Sequence, residues 1–171
     1  KLHSLIKGSN IDSNPLTADQ ANSITEGKWI PLLSIPKYLQ ITPENPIVSE
    51  PYISTPYELI SKWKNILSKE KRPIIGINWQ GNPEMEKTHK GRSFELEIFS
   101  ILLDKNDITF LSLQKGYGSD QLATCSFKDS FVGCQKDIDN EWDFLENAAI
   151  IENCDLIITS DTSIAHLAGG M

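Results

Sequence analysis

Asp155-Leu-Ile-Ile-Thr-Ser-Asp-Thr-Ser-Ile-Ala-His-Leu-Ala-Gly-Gly170 is the stretch that decides the fold. A short apolar run, Leu156 to Ile158, stops at small polar residues, and these open a segment with helical spacing at Ile164, Ala165, Leu167 and Ala168. The pattern predicts a strand, a tight turn and a helix start. With Asp161 or Ser160 as N-cap, the amides of Thr162, Ser163 and Ile164 would be free beside two hydroxyls, an arrangement suited to an anion. His166 follows Thr162 by four residues and Ser163 by three, so on a helix the three share a face.

Simpler readings stand beside this one. A strand-turn-helix with Asp, Thr and Ser at the turn is also what a capped helix looks like, and a lone histidine can be structural. A Ser-His-Asp hydrolase is disfavoured, because Asp161, Ser163 and His166 crowd into two helical turns where the imidazole cannot sit between the others. No second His or Cys stands nearby at a ligand spacing, so no metal is expected.

Working back along the chain, apolar runs alternate with helical patterns. Strands are expected at Ile74 to Trp79, Ile108 to Leu113, Phe131 to Cys134 and Asp155 to Thr159. Helices are expected at Phe94 to Leu103, with Phe94, Ile98, Ile101 and Leu102 inward, at Asp120 to Phe127, and at Trp142 to Asn153. Strands without polar alternation, separated by helices, predict an α/β domain with a parallel sheet covered on both faces.

The first 55 residues read differently. Lys1 to Lys28 is polar and interrupted, hence irregular and partly mobile. Trp29 to Leu33 is expected as a short strand or extended packing segment ending at Pro36. With Pro36, Pro43, Pro46, Pro51 and Pro56, the chain from there to the first long helix is expected as an extended linker. Thr55-Pro56-Tyr57-Glu58 predicts a helix start with Thr55 as cap, Pro56 at the first position and Glu58 closing a capping box. Leu59, Ile60, Trp63, Ile66 and Leu67 then give it one apolar face. The expected division is therefore an irregular segment and linker over 1–55 and a Rossmann-like domain over 56–171. A doubly wound sheet usually has five or six strands, so the chain reads as a domain truncated after its fourth strand and helix turn, with an unfinished edge that invites pairing with a second copy.

Net charge is −7 and the pI about 4.9, which argues against nucleic acid as a partner. No apolar run approaches the ~20 residues of a membrane span, and Lys1 to Asn10 lacks the apolar core of a secretion signal. Cys125, Cys134 and Cys154 form no paired framework, which suits a reducing, cytoplasmic setting.

A second chemical stretch lies after the first expected strand. The loop Gln80 to Arg92 exceeds the usual two to six or so residues of a βα connection and carries Gly81, Asn82, Lys87, His89, Lys90 and Arg92 in an otherwise acidic chain. It reads either as a solvated surface loop or as an anion site.

Four motifs in order, Ile75-Gly-Ile-Asn-Trp-Gln-Gly-Asn-Pro83, Gly91-Arg-Ser-Phe-Glu-Leu96, Phe110-Leu-Ser-Leu-Gln-Lys-Gly116 and the Asp155 to Gly169 stretch, resemble the C-terminal domain of a glycosyltransferase group. These are bacterial tetratricopeptide-repeat proteins whose transferase-like region is similar to the ADP-heptose:LPS heptosyltransferases of glycosyltransferase family nine, and more distantly to O-linked N-acetylglucosamine transferases. The resemblance runs from about Trp29 to the end. It implies a GT-B architecture with a nucleotide-sugar donor held chiefly by this domain, the first and fourth strands being neighbours so that their loops meet at one crevice. By motif position it implies that Arg92, Asp161, Thr162, Ser163 and His166 bind the donor diphosphate, with Asp161 orienting the turn or a sugar hydroxyl because like charges repel. Asn82, Gln114, Lys115 and Gly116 are implied near the donor. Asn147 departs from the group, which commonly has Thr there, and the insert Glu84 to Lys90 has no matching positions.

The implied activity is inverting, metal-independent glycosyl transfer to an unknown acceptor, with no cofactor and with the catalytic base in a preceding N-terminal domain. This chain by itself is then expected to bind without turnover. Three rivals are a non-catalytic scaffold module of a repeat protein, a nucleotide-sugar epimerase and a dinucleotide-binding dehydrogenase. The epimerase would need a carboxylate pair near the two loops, and the dehydrogenase lacks its G-x-G-x-x-G after the first strand.

Overall fold

A computed structural model of the chain describes residues 2–47, 50–87, 91–103 and 107–171. Two short helices, α1 (His3–Gly8) and α2 (Ala18–Asn22), replace the irregular segment expected at the N-terminus. Thr17 and Gln20 close a capping box on α2, and Leu5 of α1 is buried in the core. Trp29 to Leu33 forms neither strand nor packing segment: Leu32–Ser34 is a 3₁₀ turn running into α3 (Ile35–Tyr38), and Trp29 and Leu33 are 87% and 93% exposed. Pro36 does not end this element, because the first turn of a helix has no use for the missing N–H. The linker docks as an extended strap, Tyr52 and Ile53 both donating from their amides to Gly170 O, at 2.9 and 2.8 Å.

Helix α4 (Tyr57–Leu67) starts one residue later than expected. Pro56 is extended (φ −56°, ψ 137°) and takes the cap position, so the capping box on Thr55 does not form and the buried Thr55 hydroxyl has no partner among the described residues. The apolar face is as expected, with Trp63 and Leu67 buried, and Trp63 Nε1 donates to Glu146 Oε2 at 2.6 Å.

The sheet comprises β1 (Ile74–Asn78), β2 (Thr109–Ser112) and β3 (Leu156–Thr159), all parallel, in the order β2-β1-β3. Ile75 is in register with Phe110 on one side and Leu156 on the other. This is a mixed α/β arrangement compatible with a Rossmann-like fold. The strand expected at Phe131 to Cys134 reduces to one parallel bridge, Phe110 with Phe131, continued by Val132 N donating to Phe110 O at 2.8 Å. Gly133 and an unforeseen helix at Gln135–Asn140 end the pairing there. Central β1 is wholly buried, as its unbroken apolar run requires. Edge strand β3 is only half covered, so the expectation of two fully covered faces fails at that edge.

The connections between the strands are built from short helices and turns. Helix α5 (Pro83–Glu86) lies in the loop after β1. The helix expected over Phe94 to Leu103 is a 3₁₀ helix, Leu96–Leu102. Three residues per turn stack positions i and i+3. Leu96 and Phe99 therefore face the core, while Ile98 and Ile101, expected inward on α spacing, are 60% and 70% exposed. Asp120 to Phe127 likewise gives a 3₁₀ helix, Ser119–Ala123. Next come α6 (Gln135–Asn140), α7 (Phe144–Glu152), capped by Asp143, and α8 (Ser163–Gly169). One apolar cluster, on α4, α7 and α8, covers one side of the sheet; a second, around Trp79, Phe99, Phe110 and Phe127, covers the other. Among the described residues no helix is long and apolar enough to cross a membrane.

Candidate functional site

All three strands end at the same edge, and one buried side chain ties those ends together. Asn78, last residue of β1 and 4% exposed, donates through Nδ2 to Gln114 Oε1 (2.9 Å), and its Oδ1 accepts from Thr162 Oγ1 (2.9 Å). Longer contacts from Thr159 Oγ1 (3.4 Å) and Ser160 Oγ (3.5 Å) reach the same oxygen. A buried amide must find such partners. Here they come from the loops after β2 and β3, so their relative placement is set by Asn78.

Gln114 completes the knot. Its Oε1 also accepts from the amides of Trp79 (3.1 Å) and Gln80 (2.9 Å), while Nε2 donates to Gln80 O (2.9 Å) and Tyr117 O (2.7 Å). Every polar position of the side chain is engaged within the protein. Gln114 therefore shapes the site rather than offering a hydrogen bond to a ligand. Neither role could be read from the sequence, because Asn78 is 36 residues from Gln114 and 84 from Thr162 in the chain.

The loop after β1 folds back on itself. Phe94 N donates to Trp79 O (3.0 Å), Gly81 N to Ser93 Oγ (3.0 Å), and Ser93 Oγ to Glu86 Oε1 (2.9 Å). Asn82 caps α5 by accepting from Glu84 N at 3.0 Å, and Lys87 pairs with Glu84 at 2.7 Å. His89 and Lys90 lie outside the described residues. The fold-back sets Arg92 against Gly81: a Cβ on Gly81 would stand 3.1 Å from Arg92 Nη2 and 3.8 Å from Thr162 Cγ2. The connections after β1 and β3, the latter being the fourth strand of the sequence expectation, thus bring Arg92 and Thr162 to either side of Gly81. Arg92 has no carboxylate within ion-pair distance among the described residues, and its Nε is buried without a partner.

Thr162, rather than Asp161 or Ser160, is the N-cap of α8, with Oγ1 accepting from Ile164 N at 3.3 Å. Its extended backbone (φ −136°, ψ 179°) delays the helix by a residue or two, leaving α8 with seven residues. Because the Thr162 hydroxyl hydrogen goes to Asn78, that hydroxyl is oriented away from donating to a ligand. Ser163, the first residue of α8, lines the cavity.

A cavity of about 480 Å³ opens over this edge. Asn82, Arg92, Thr162 and Ser163 line it together with Leu113, Lys115, Trp142, Phe144 and Asn147. Gln114 also contributes to its wall. Asp161 and His166 are exposed and are not on the wall, and Gly116 belongs to a neighbouring cavity of about 790 Å³ across Lys115 and Trp142. Lys115 donates from Nζ to Ile138 O. Burial pushes its pKa down, partly opposed by Asp139 and Glu141. The lining combines cationic and polar groups with aromatic ones, at a size usual for small-ligand sites. No family model, curated protein or solved structure matches this chain.

Proposed function

We propose that the chain is the donor-binding domain of a GT-B glycosyltransferase-like protein of the heptosyltransferase-related group, holding the diphosphate of a nucleotide sugar at Arg92 and the Thr162–Ser163 turn. The observation that carries the reading is the meeting of Arg92 with Thr162 across Gly81 at the mouth of the cavity, over the carboxyl ends of three parallel strands. Open α/β sheets take ligands at such an edge, where neighbouring connections leave in opposite directions. Arg92 is the stronger element, since a guanidinium fork can hold two phosphate oxygens and this one has no internal counter-ion among the described residues. With seven residues, α8 adds little dipole, and the Ser163 amide and hydroxyl are its contribution. Asp161 and His166, off the wall, have peripheral roles. In a complete transferase the same cation would stabilise charge developing on the leaving diphosphate.

The test is calorimetric titration of the chain with pyrophosphate, ADP, UDP and GDP, repeated on Arg92→Ala. Micromolar to submillimolar binding of a diphosphate, weakened at least about tenfold in the variant, is expected from loss of a charged hydrogen-bond pair. Equal affinity in both proteins would refute the site.

A further inference from the structure

Asn147 occupies the first turn of α7, on the wall of the cavity, and is 6% exposed. Its Nδ2 gives its hydrogens to Asp143 O (2.7 Å) and Glu141 O (3.2 Å), which fixes the amide with its oxygen turned from these carbonyls. That oxygen, Oδ1, is closed off from solvent and has no partner among the described residues. A buried acceptor left unpaired is costly, and native interiors seldom keep one. Trp142, just before α7, and Phe144, its first residue, line the cavity with it, and aromatic side chains of this kind stack on planar rings.

Resting on the nucleotide reading above, we infer that Asn147 Oδ1 reads the nucleobase, accepting a hydrogen bond from an exocyclic amino group of a ring that lies against Trp142 and Phe144. With both Nδ2 hydrogens engaged, Asn147 cannot present the donor-acceptor pair that recognises a base edge bidentately; it presents an acceptor alone. An exocyclic amine projects beyond the ring acceptors beside it and suits such a partner. The N3–H of uracil is flanked by two carbonyl oxygens, which would be brought against Oδ1. The wall side chains must yield slightly for the donor to arrive, and relief of the unpaired oxygen favours that movement.

The experiment compares ligands that differ by single groups on the unaltered chain: ADP, its 6-deamino analogue purine riboside 5′-diphosphate, CDP, UDP and 2′-deoxy-ADP, by calorimetry. ADP should bind roughly tenfold or more tightly than the deamino analogue, CDP should exceed UDP, and the 2′-deoxy compound should match ADP. In Asn147→Leu, checked for folding by its unfolding transition, the amino and deamino compounds should bind alike. Equal binding of ADP and its deamino analogue to the unaltered chain overturns the inference, as does a loss that follows the 2′-hydroxyl instead. Pyrophosphate binding that depends on Arg92, without discrimination among bases, overturns this inference alone. Absence of binding by every phosphate compound overturns the nucleotide reading and this one with it.

Discussion

Replacing Gln114 by leucine removes five hydrogen bonds at once while nearly conserving volume. Three are to donors: Asn78 Nδ2 and the amides of Trp79 and Gln80; two are to the carbonyls of Gln80 and Tyr117. Each such bond contributes about 1 kcal/mol net, and each buried group left unpaired costs about 1–3. Tyr117 is exposed and its carbonyl can turn to water, whereas the amides of buried Trp79 and Gln80 cannot. The expected loss is therefore about 3–5 kcal/mol, a large share of the ~5–15 that holds a domain of this size together. Urea unfolding followed by tryptophan fluorescence measures it, because Trp79 and Trp63 are both fully buried. Gln114→Glu should fare little better, since its carboxylate would face the two carbonyls. A loss below about 1 kcal/mol for Gln114→Leu, with the unfolding slope unchanged, would refute the claim that this side chain organises the edge.

Gly81→Ala tests the placement of Arg92: the backbone there is outside the left-handed region, so the chain should fold normally, while the new Cβ, 3.1 Å from Nη2, moves the guanidinium and weakens diphosphate binding several-fold by calorimetry. Unchanged affinity would mean that Arg92 does not meet the ligand where it now stands. His166→Ala, off the cavity wall, should change affinity far less than Arg92→Ala; the reverse order would move the phosphate site along α8. Burial pushes the Cys154 thiol up to about 12, so a thiol reagent at pH 8 should miss it in the folded chain and find it after denaturation. Because the folded pKa is the higher one, its contribution to stability is complete below the unfolded value near pH 9 and is lost as pH rises toward 12. Labelling of folded Cys154 at the rate of a free thiol would contradict that burial.

Where a single side-chain pattern dictates structure, the sequence was easy to read. The unbroken apolar runs of β1, β2 and β3 fixed a parallel sheet, and the polar cluster after Thr159 marked the turn that enters the site. Near-equal alternatives were harder. Leu96 to Leu102 fits both three and 3.6 residues per turn, and packing of Leu96 and Phe99 decided for three. Thr55 and Pro56 both qualify as helix starters, and the extended ψ of Pro56 gave it the cap. Phe131 has strand character, but Gly133 and α6 leave room for one bridge only. In the candidate site, the charge of Arg92 and the small polar cluster after Thr159 stood out because their chemistry is local, although the cap fell to Thr162 and not to Asp161 or Ser160. Asn78, Gln114 and Asn147 were not seen in these roles, because what distinguishes them is which distant groups pair with their amides, or fail to.

The most direct test of the central claim is amide and side-chain chemical-shift mapping of the isotope-labelled 19.2 kDa chain on titration with ADP and UDP. The largest shifts are expected on the Arg92 Nε–H, the Gly81, Gln114 and Ser163 amides and the Asn147 side chain, and pyrophosphate by itself should suffice to shift Arg92 Nε–H. Shifts gathered instead around Lys128 and Lys136 in the neighbouring cavity, or none at millimolar ligand, would contradict it.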